Sequence, residues 1–220
     1  SIRRQRQMCI RDRYKSYFDG SDLSNWVIKT RRREKKGTIV SEVNNDDNIW
    51  WSIVDRNLRV KSGPDQEGST LWTRDEFKNF RVRLKFKFIN GNIDSGIFMR
   101  GGDEFNPQIQ IGVSGSLKRD MTGTPYIPKK GYPKEALKVA EILKMDEWNH
   151  MEAEAIGNRY RVWFNGVFVM DYKLEEANMN GPVGIQLHSN RNMEMLYKDI
   201  DLSLIHISEP TRLLSISYAV

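Results

Sequence analysis

Arg100, Gln108, Gln110, Gln186 and His188 sit at alternating positions in three short segments whose remaining positions are mostly apolar. If each segment is extended, Ile97, Met99, Ile109, Ile111, Ile185 and Leu187 face a core, and parity sends the polar set to the opposite face. A freely solvated sheet face more often carries Lys, Glu and Thr. Amides with one Arg and one His suit sugar hydroxyls better, because each amide offers both donors and an acceptor.

The segment after the second strand, Gly115–Pro133, is rich in turn formers and too long for a simple connection, so it is expected to form a rim or lid. Its Lys118, Arg119 and Asp120 supply two cations and a carboxylate beside Tyr126. Such groups respectively stabilise an oxyanion, remove a proton and stack on a sugar ring. Of the two histidines in the central segment, His188 falls on the polar face and is the candidate base, proton donor or ligand. His150 shares the outer face of its strand with Glu152 and Glu154 and is expected at the surface. Zinc has no support: there is no HExxH, and the one cysteine is Cys9. An oxygen-rich calcium or manganese site stays open.

Strands must hold these residues in place. Arg81–Phe88 alternates without exception, with Val82, Leu84, Phe86 and Phe88 on one face and Arg81, Arg83, Lys85 and Lys87 on the other. Similar alternation marks Ile97–Arg100, Gln108–Val113, Met151–Ile156 and Gly184–His188. Asn165-Gly166 joins Tyr160–Phe164 to Val167–Met170 as a hairpin. Pro133–Lys144 alone reads as a helix, from its proline start and the spacing of Ala136, Val139, Ala140 and Leu143. Many short strands with one short inserted helix predict an all-β fold, an antiparallel jelly-roll sandwich. The cluster Arg31–Lys36 followed by Asn44–Asn48 is expected as a long solvated loop.

The chain has 220 residues and a formal charge of +6, a balance that invites a nucleic-acid reading. Its ends remove that invitation. MCIRD (Met8–Asp12) and LSLIHI (Leu202–Ile207) back-translate to DNA strings that are reverse complements of one another, and both ends resemble a translated transposon-end adapter from sequencing libraries. Residues 1–13 and 202–220 are therefore set aside as adapter-like, leaving one domain over 14–201. Five arginines and one aspartate in residues 1–13 give +4, and Glu209 cancels Arg212, so the domain carries only +2. Cys9 leaves with the first segment. No stretch approaches the roughly 18–20 consecutive apolar residues of a spanning helix, and neither nucleic acid nor a membrane is expected as a partner.

Six segments in order, FDGSDLSNW (Phe18–Trp26), LWTRDEFKNFRVRLKFKF (Leu71–Phe88), DSGIFMR (Asp94–Arg100), QIQIG (Gln108–Gly112), EWNHMEAEAIGNRYRVWFNG (Glu147–Gly166) and GPVGIQLH (Gly181–His188), resemble the 3-keto-disaccharide hydrolase domain family. The resemblance implies a concanavalin-like jelly roll acting on carbohydrate, in a periplasmic or extracellular bacterial protein. Many relatives resemble YExQIxD around the second segment. Here Gln108 stands where the glutamate would be, Val113 replaces the acidic residue, and Asp94 replaces an asparagine.

The resemblance implies a hydrolase or lyase that cleaves 3-keto-glycosides. A C3 ketone acidifies the C2 proton; a base removes it, the enolate is stabilised, the C1 substituent leaves, and water adds. Asp120 or His188 is the expected base and Arg100 or Lys118 the expected enolate stabiliser, with Gln108, Gln110, Gln186 and Tyr126 binding substrate. The alternative is a noncatalytic carbohydrate-binding module.

Overall fold

A computed structural model describes residues 14–34, 37–43, 47–102 and 105–205. The adapter-like residues 1–13 and 206–220 lie outside that range. In chain order the first strands are β1 (Tyr14–Phe18), β2 (Trp26–Glu34), β3 (Gly37–Val43), β4 (Trp51–Val54), β5 (Asn57–Lys61), β6 (Gly68–Phe77), β7 (Phe80–Gly91) and β8 (Asp94–Phe98). They continue as β9 (Gln108–Gly112), β10 (Pro125–Tyr126), β11 (Asn149–Ile156), β12 (Arg159–Phe164), β13 (Val167–Lys173), β14 (Gly181–Leu187) and β15 (Met193–Leu204), with a single helical turn, α1 (Val139–Ile142), before β11.

Every pairing is antiparallel, and the strands form two sheets. One has the order β13-β12-β11-β7-β15-β5-β4 with β1 on β15; the other has the order β10-β9-β8-β14-β6-β2-β3. This is the expected sandwich. Strict alternation builds its core: Val82, Leu84 and Phe86 from the first sheet and Leu71, Ile97, Ile109 and Ile111 from the second are fully buried. Three cations of β7 are matched by acids on flanking strands. Arg81 pairs with Glu154 at 2.6 Å, Arg83 with Asp201 at 2.9 Å and Lys85 with Asp199 at 2.9 Å. Asn165 and Gly166 both have positive φ, as a tight two-residue hairpin turn requires.

Two expectations are corrected, and the last strand is longer than its sequence pattern. The helix expected over Pro133–Lys144 shrinks to α1, because the preceding amides bond elsewhere: Ala136 N–H to Thr124 Oγ1 at 3.0 Å and Leu137 N–H to Val169 O at 2.8 Å. Lys138 then takes a left-handed conformation just before the turn. Of the expected loop Arg31–Lys36 and Asn44–Asn48, residues 35–36 and 44–46 lie outside the described residues, and the described start of the basic cluster is a strand. Its residues 31–34 belong to β2, whose backbone pairs with β6 on one side and β3 on the other, and ladder hydrogen bonds hold it extended. Finally, β15 runs past the expected boundary at 201. Leu202 opposes Val82, Leu204 opposes Phe80, and Ile205 N–H bonds Asn79 O at 2.9 Å. Leu202 is buried because it continues the inward parity of its strand.

Candidate functional site

The outer face of the second sheet, with the loops above it, lines a groove of about 1220 Å³. Gln108, Gln110, Gln186, His188 and Tyr126 all line it, so the polar parity on two of the three segments holds. Strand β8 runs between β9 and β14, with Gly96 opposite Gln110 and Ile97 opposite both Ile109 and Ile185. Gln108 reaches across β8 and donates from Nε2 to Gln186 Oε1 at 2.6 Å. A Cβ on Gly96 would lie 2.3 Å from that Nε2, so only glycine leaves the amide room to cross.

Toward the start of β8, a connected polar set closes one end of the groove. Gln110 donates from Nε2 to Asp94 Oδ1 at 2.8 Å, and Arg191 donates to Asp94 Oδ2 from Nε at 3.2 Å and from a terminal nitrogen at 3.0 Å. Tyr132 donates its hydroxyl to Gln110 Oε1 at 3.3 Å, and burial pushes its pKa upward. Charge-assisted bonds such as the Arg191 pair are stronger than neutral ones and fix the fork. His188 is half-buried at the same end, and its Nδ1 lies 2.6 Å from Ser189 O. A carbonyl oxygen only accepts, so Nδ1 carries the proton and Nε2 of the neutral ring is left basic.

Three residues named from sequence lie elsewhere. Arg100 is 1% exposed and absent from the groove lining. Its φ of +66° follows the end of β8, so the alternation that sent it outward no longer applies. Its guanidinium instead donates to Gly157 O at 2.6 Å, Asn178 O at 3.2 Å and Lys78 O. Lys118 is exposed in a turn at the start of the Gly115–Pro133 loop, off the groove, while Ser114, Gly115, Tyr126 and Tyr132 of that region line it. Asp120 is also off the groove. It accepts from Thr122 N at 3.0 Å and Thr122 Oγ1 at 3.1 Å, and although the residue is exposed, desolvation of its carboxyl outweighs these bonds and raises its pKa.

Asp94, Arg191 and Tyr132 take the positions at the groove that Asp120, Arg100 and Lys118 were expected to hold. Tyr126 packs its ring against Tyr132 at 5.1 Å. His150, half-buried on the other sheet, borders a pocket of about 470 Å³ with Arg83, Lys85, Asp199 and Asp201. In the main groove Asp94 accepts from Arg191 and Gln110, and among the described residues no group of three or more His, Cys, Asp or Glu is placed so as to hold a metal ion.

The fold is an antiparallel jelly-roll β-sandwich with a polar groove on one sheet, and the family that its sequence matches is carbohydrate-related. The chain belongs to the 3-keto-alpha-glucoside-1,2-lyase-like domain family, whose model matches residues 13–203. No curated protein sequence matches it. Among solved structures it is similar to a protein of Parabacteroides distasonis provisionally named a glycosyl hydrolase, with 15% identity and a TM-score of 0.62, covering 88% of this chain and 94% of that one. It is also similar to a Bacillus subtilis protein of unknown function with a galectin-like fold (14% identity, TM-score 0.51, 87% and 98% covered). A third is the VIP36 exoplasmic/lumenal domain in a Ca2+/Man3GlcNAc-bound form (9% identity, TM-score 0.58, 90% and 93% covered). At these identities the likeness is one of fold. Among the described residues no helix is long and apolar enough to cross a membrane.

Proposed function

We propose that the groove binds a 3-keto-glycoside and cleaves it by elimination, with His188 as the base. The observation that carries this reading is the Nδ1 contact to Ser189 O in a histidine that lines the groove, which leaves Nε2 to accept a proton. Nε2 takes the C2 proton, and the electrons of the C2–H bond become an enolate whose negative charge rests on the C3 oxygen. Arg191, fixed by Asp94, supplies positive charge for that oxygen. The enolate then collapses, the C1–O bond breaks, and the imidazolium returns its proton to the departing oxygen. Water adds across the new double bond to give the 3-keto sugar. Neither Asp120, Lys118 nor Arg100 has a part in this scheme. The reading goes with a periplasmic or extracellular location, the compartment that the family resemblance implies.

The alternative, a noncatalytic carbohydrate-binding module, draws on a specific feature: Gln108 and Gln186 form an amide pair suited to sugar hydroxyls, and the Asp94 carboxylate is held in an ion pair. A 3-keto-glycoside assayed beside its unoxidised parent separates the two. Ketone-dependent product, with C2 deuterium lost to solvent and both abolished in His188→Ala, supports elimination. Calorimetric binding of the unoxidised glycoside with no product from the ketone supports the module.

A further inference from the structure

The other end of the groove has a different chemistry. Phe98 lies at the close of β8, four residues and about 13 Å along the strand from Asp94. Its ring stacks on Trp72 of β6 at 5.1 Å between centroids and 22° between planes. The two rings meet because Gly184, the β14 residue paired with both of them, has no side chain: a Cβ there would lie 2.6 Å from the Trp72 indole. Both residues are half-buried, so the stack keeps an accessible ring surface. Beside it, Asn106 is 1% exposed and lines the groove, and it donates from Nδ2 to Arg100 O at 2.5 Å. Its Oδ1 has no hydrogen-bond partner among the described residues. A buried acceptor left unpaired is costly, and a ligand hydroxyl would satisfy it.

Resting on the elimination reading, we infer that this end is the leaving-group subsite, and that it takes a flat aromatic aglycone carrying a hydroxyl. The β8/β14 register, continued from Ile97 opposite Ile185, brings His188 level with Asp94. The keto ring therefore belongs at the Asp94, His188 and Arg191 end, and the C1 substituent points along β8 toward Phe98. A second sugar presents hydroxyls around its rim and needs several polar partners. This end offers the Phe98 ring with the Gln108 amide opposite it and Asn106 Oδ1 beside it, which suits a ring that stacks and carries a hydroxyl, the complement of a phenol.

The test compares methyl 3-keto-glucoside with 4-hydroxyphenyl 3-keto-glucoside on the full chain, and measures binding of unoxidised 4-hydroxyphenyl glucoside by calorimetry. A phenol leaves more readily than methanol at any site, so the ratio is read between variants: Phe98→Ala should lower the aryl-over-methyl ratio of kcat/KM about tenfold below wild type, the scale of one well-placed aromatic contact. Phe98→Leu, which keeps apolar bulk without a ring, should lower it too while retaining the wild-type melting temperature. A Phe98→Ala ratio within about twofold of the wild-type ratio, or a 3-keto-disaccharide preferred over the aryl substrate, would overturn the subsite. Failure of the elimination reading looks different: neither ketone reacts. Calorimetry then decides alone, with Phe98-dependent binding of the unoxidised aryl glucoside upholding the subsite and equal binding by wild type and Phe98→Ala refuting it.

Discussion

Gln108 donates to Gln186 Oε1 at 2.6 Å from the far side of a strand, passing over Gly96, which is the one residue type that lets it through. The contact fixes the two amides relative to each other and sets which of their atoms remain free for a sugar. Gly96→Ala would put its Cβ into Gln108 and 2.7 Å from Ile109 O, a backbone atom that cannot swing away. The expected outcome is a loss of about 1–3 kcal/mol in urea unfolding together with weakened glycoside binding in calorimetry. Unchanged binding would show that the amide pair has no part in recognition.

Catalytic substitutions should separate the groove from its surroundings. His188→Ala should lower turnover of a 3-keto-glycoside by ~10²-fold or more, the usual scale for a general acid–base group. Arg191→Ala should lower kcat with it, whereas Asp120→Asn should stay within about twofold of wild type, since its carboxylate is bound to Thr122 outside the groove. A collapse of activity in Asp120→Asn would return the base to the loop.

Stability at mildly acidic pH should depend on His150. Burial lowers its pKa, Glu152 and Asp199 oppose that shift, and Lys85 and Arg83 add to it. The folded state thus binds the proton less well than the unfolded chain, so stability falls as pH drops through the ordinary histidine range and is recovered above it. Urea midpoints measured between about pH 5 and pH 8 should show this slope in wild type, and His150→Asn should flatten it. An unchanged slope would assign the acid sensitivity to other groups.

The end of the last strand offers a test of the domain boundary. Leu202 is 2% exposed and paired to both Val82 and Lys15. Leu202→Ala should cost about 2–4 kcal/mol, as buried leucines do. A cost under about 0.5 kcal/mol, typical of surface sites, would show that the fold gains nothing from the strand past 201.

Period-two patterning made most of the scaffold legible. Wherever the backbone stays extended, as from Gln108 to Gly112 and from Gly181 to Leu187, counting residues gave the face, and Gln108, Gln110 and Gln186 followed. Arg100 escaped because a positive φ lies between it and the counting rule. Arg191 and Tyr132 sit outside the strands, where no period exists to read. Their signal was indirect: Asp94 shares the outward parity of Gly96 and Phe98, and a carboxylate largely withdrawn from water asks for a cation. The apolar spacing of Ala136, Val139, Ala140 and Leu143 resembled a helix, yet Thr124 and Val169 had already claimed the amides that its first turn needed.

Arg100 itself has a mechanical meaning. Its fork gathers carbonyls from three separate chain reversals: Lys78 between β6 and β7, Gly157 between β11 and β12, and Asn178 between β13 and β14. One residue at the end of β8 thereby staples the rim of one sheet to the rim of the other, as a disulfide does in many small sandwiches. A guanidinium staple contains no thiol, so reducing agents leave it intact, and no oxidant is needed to form it during folding.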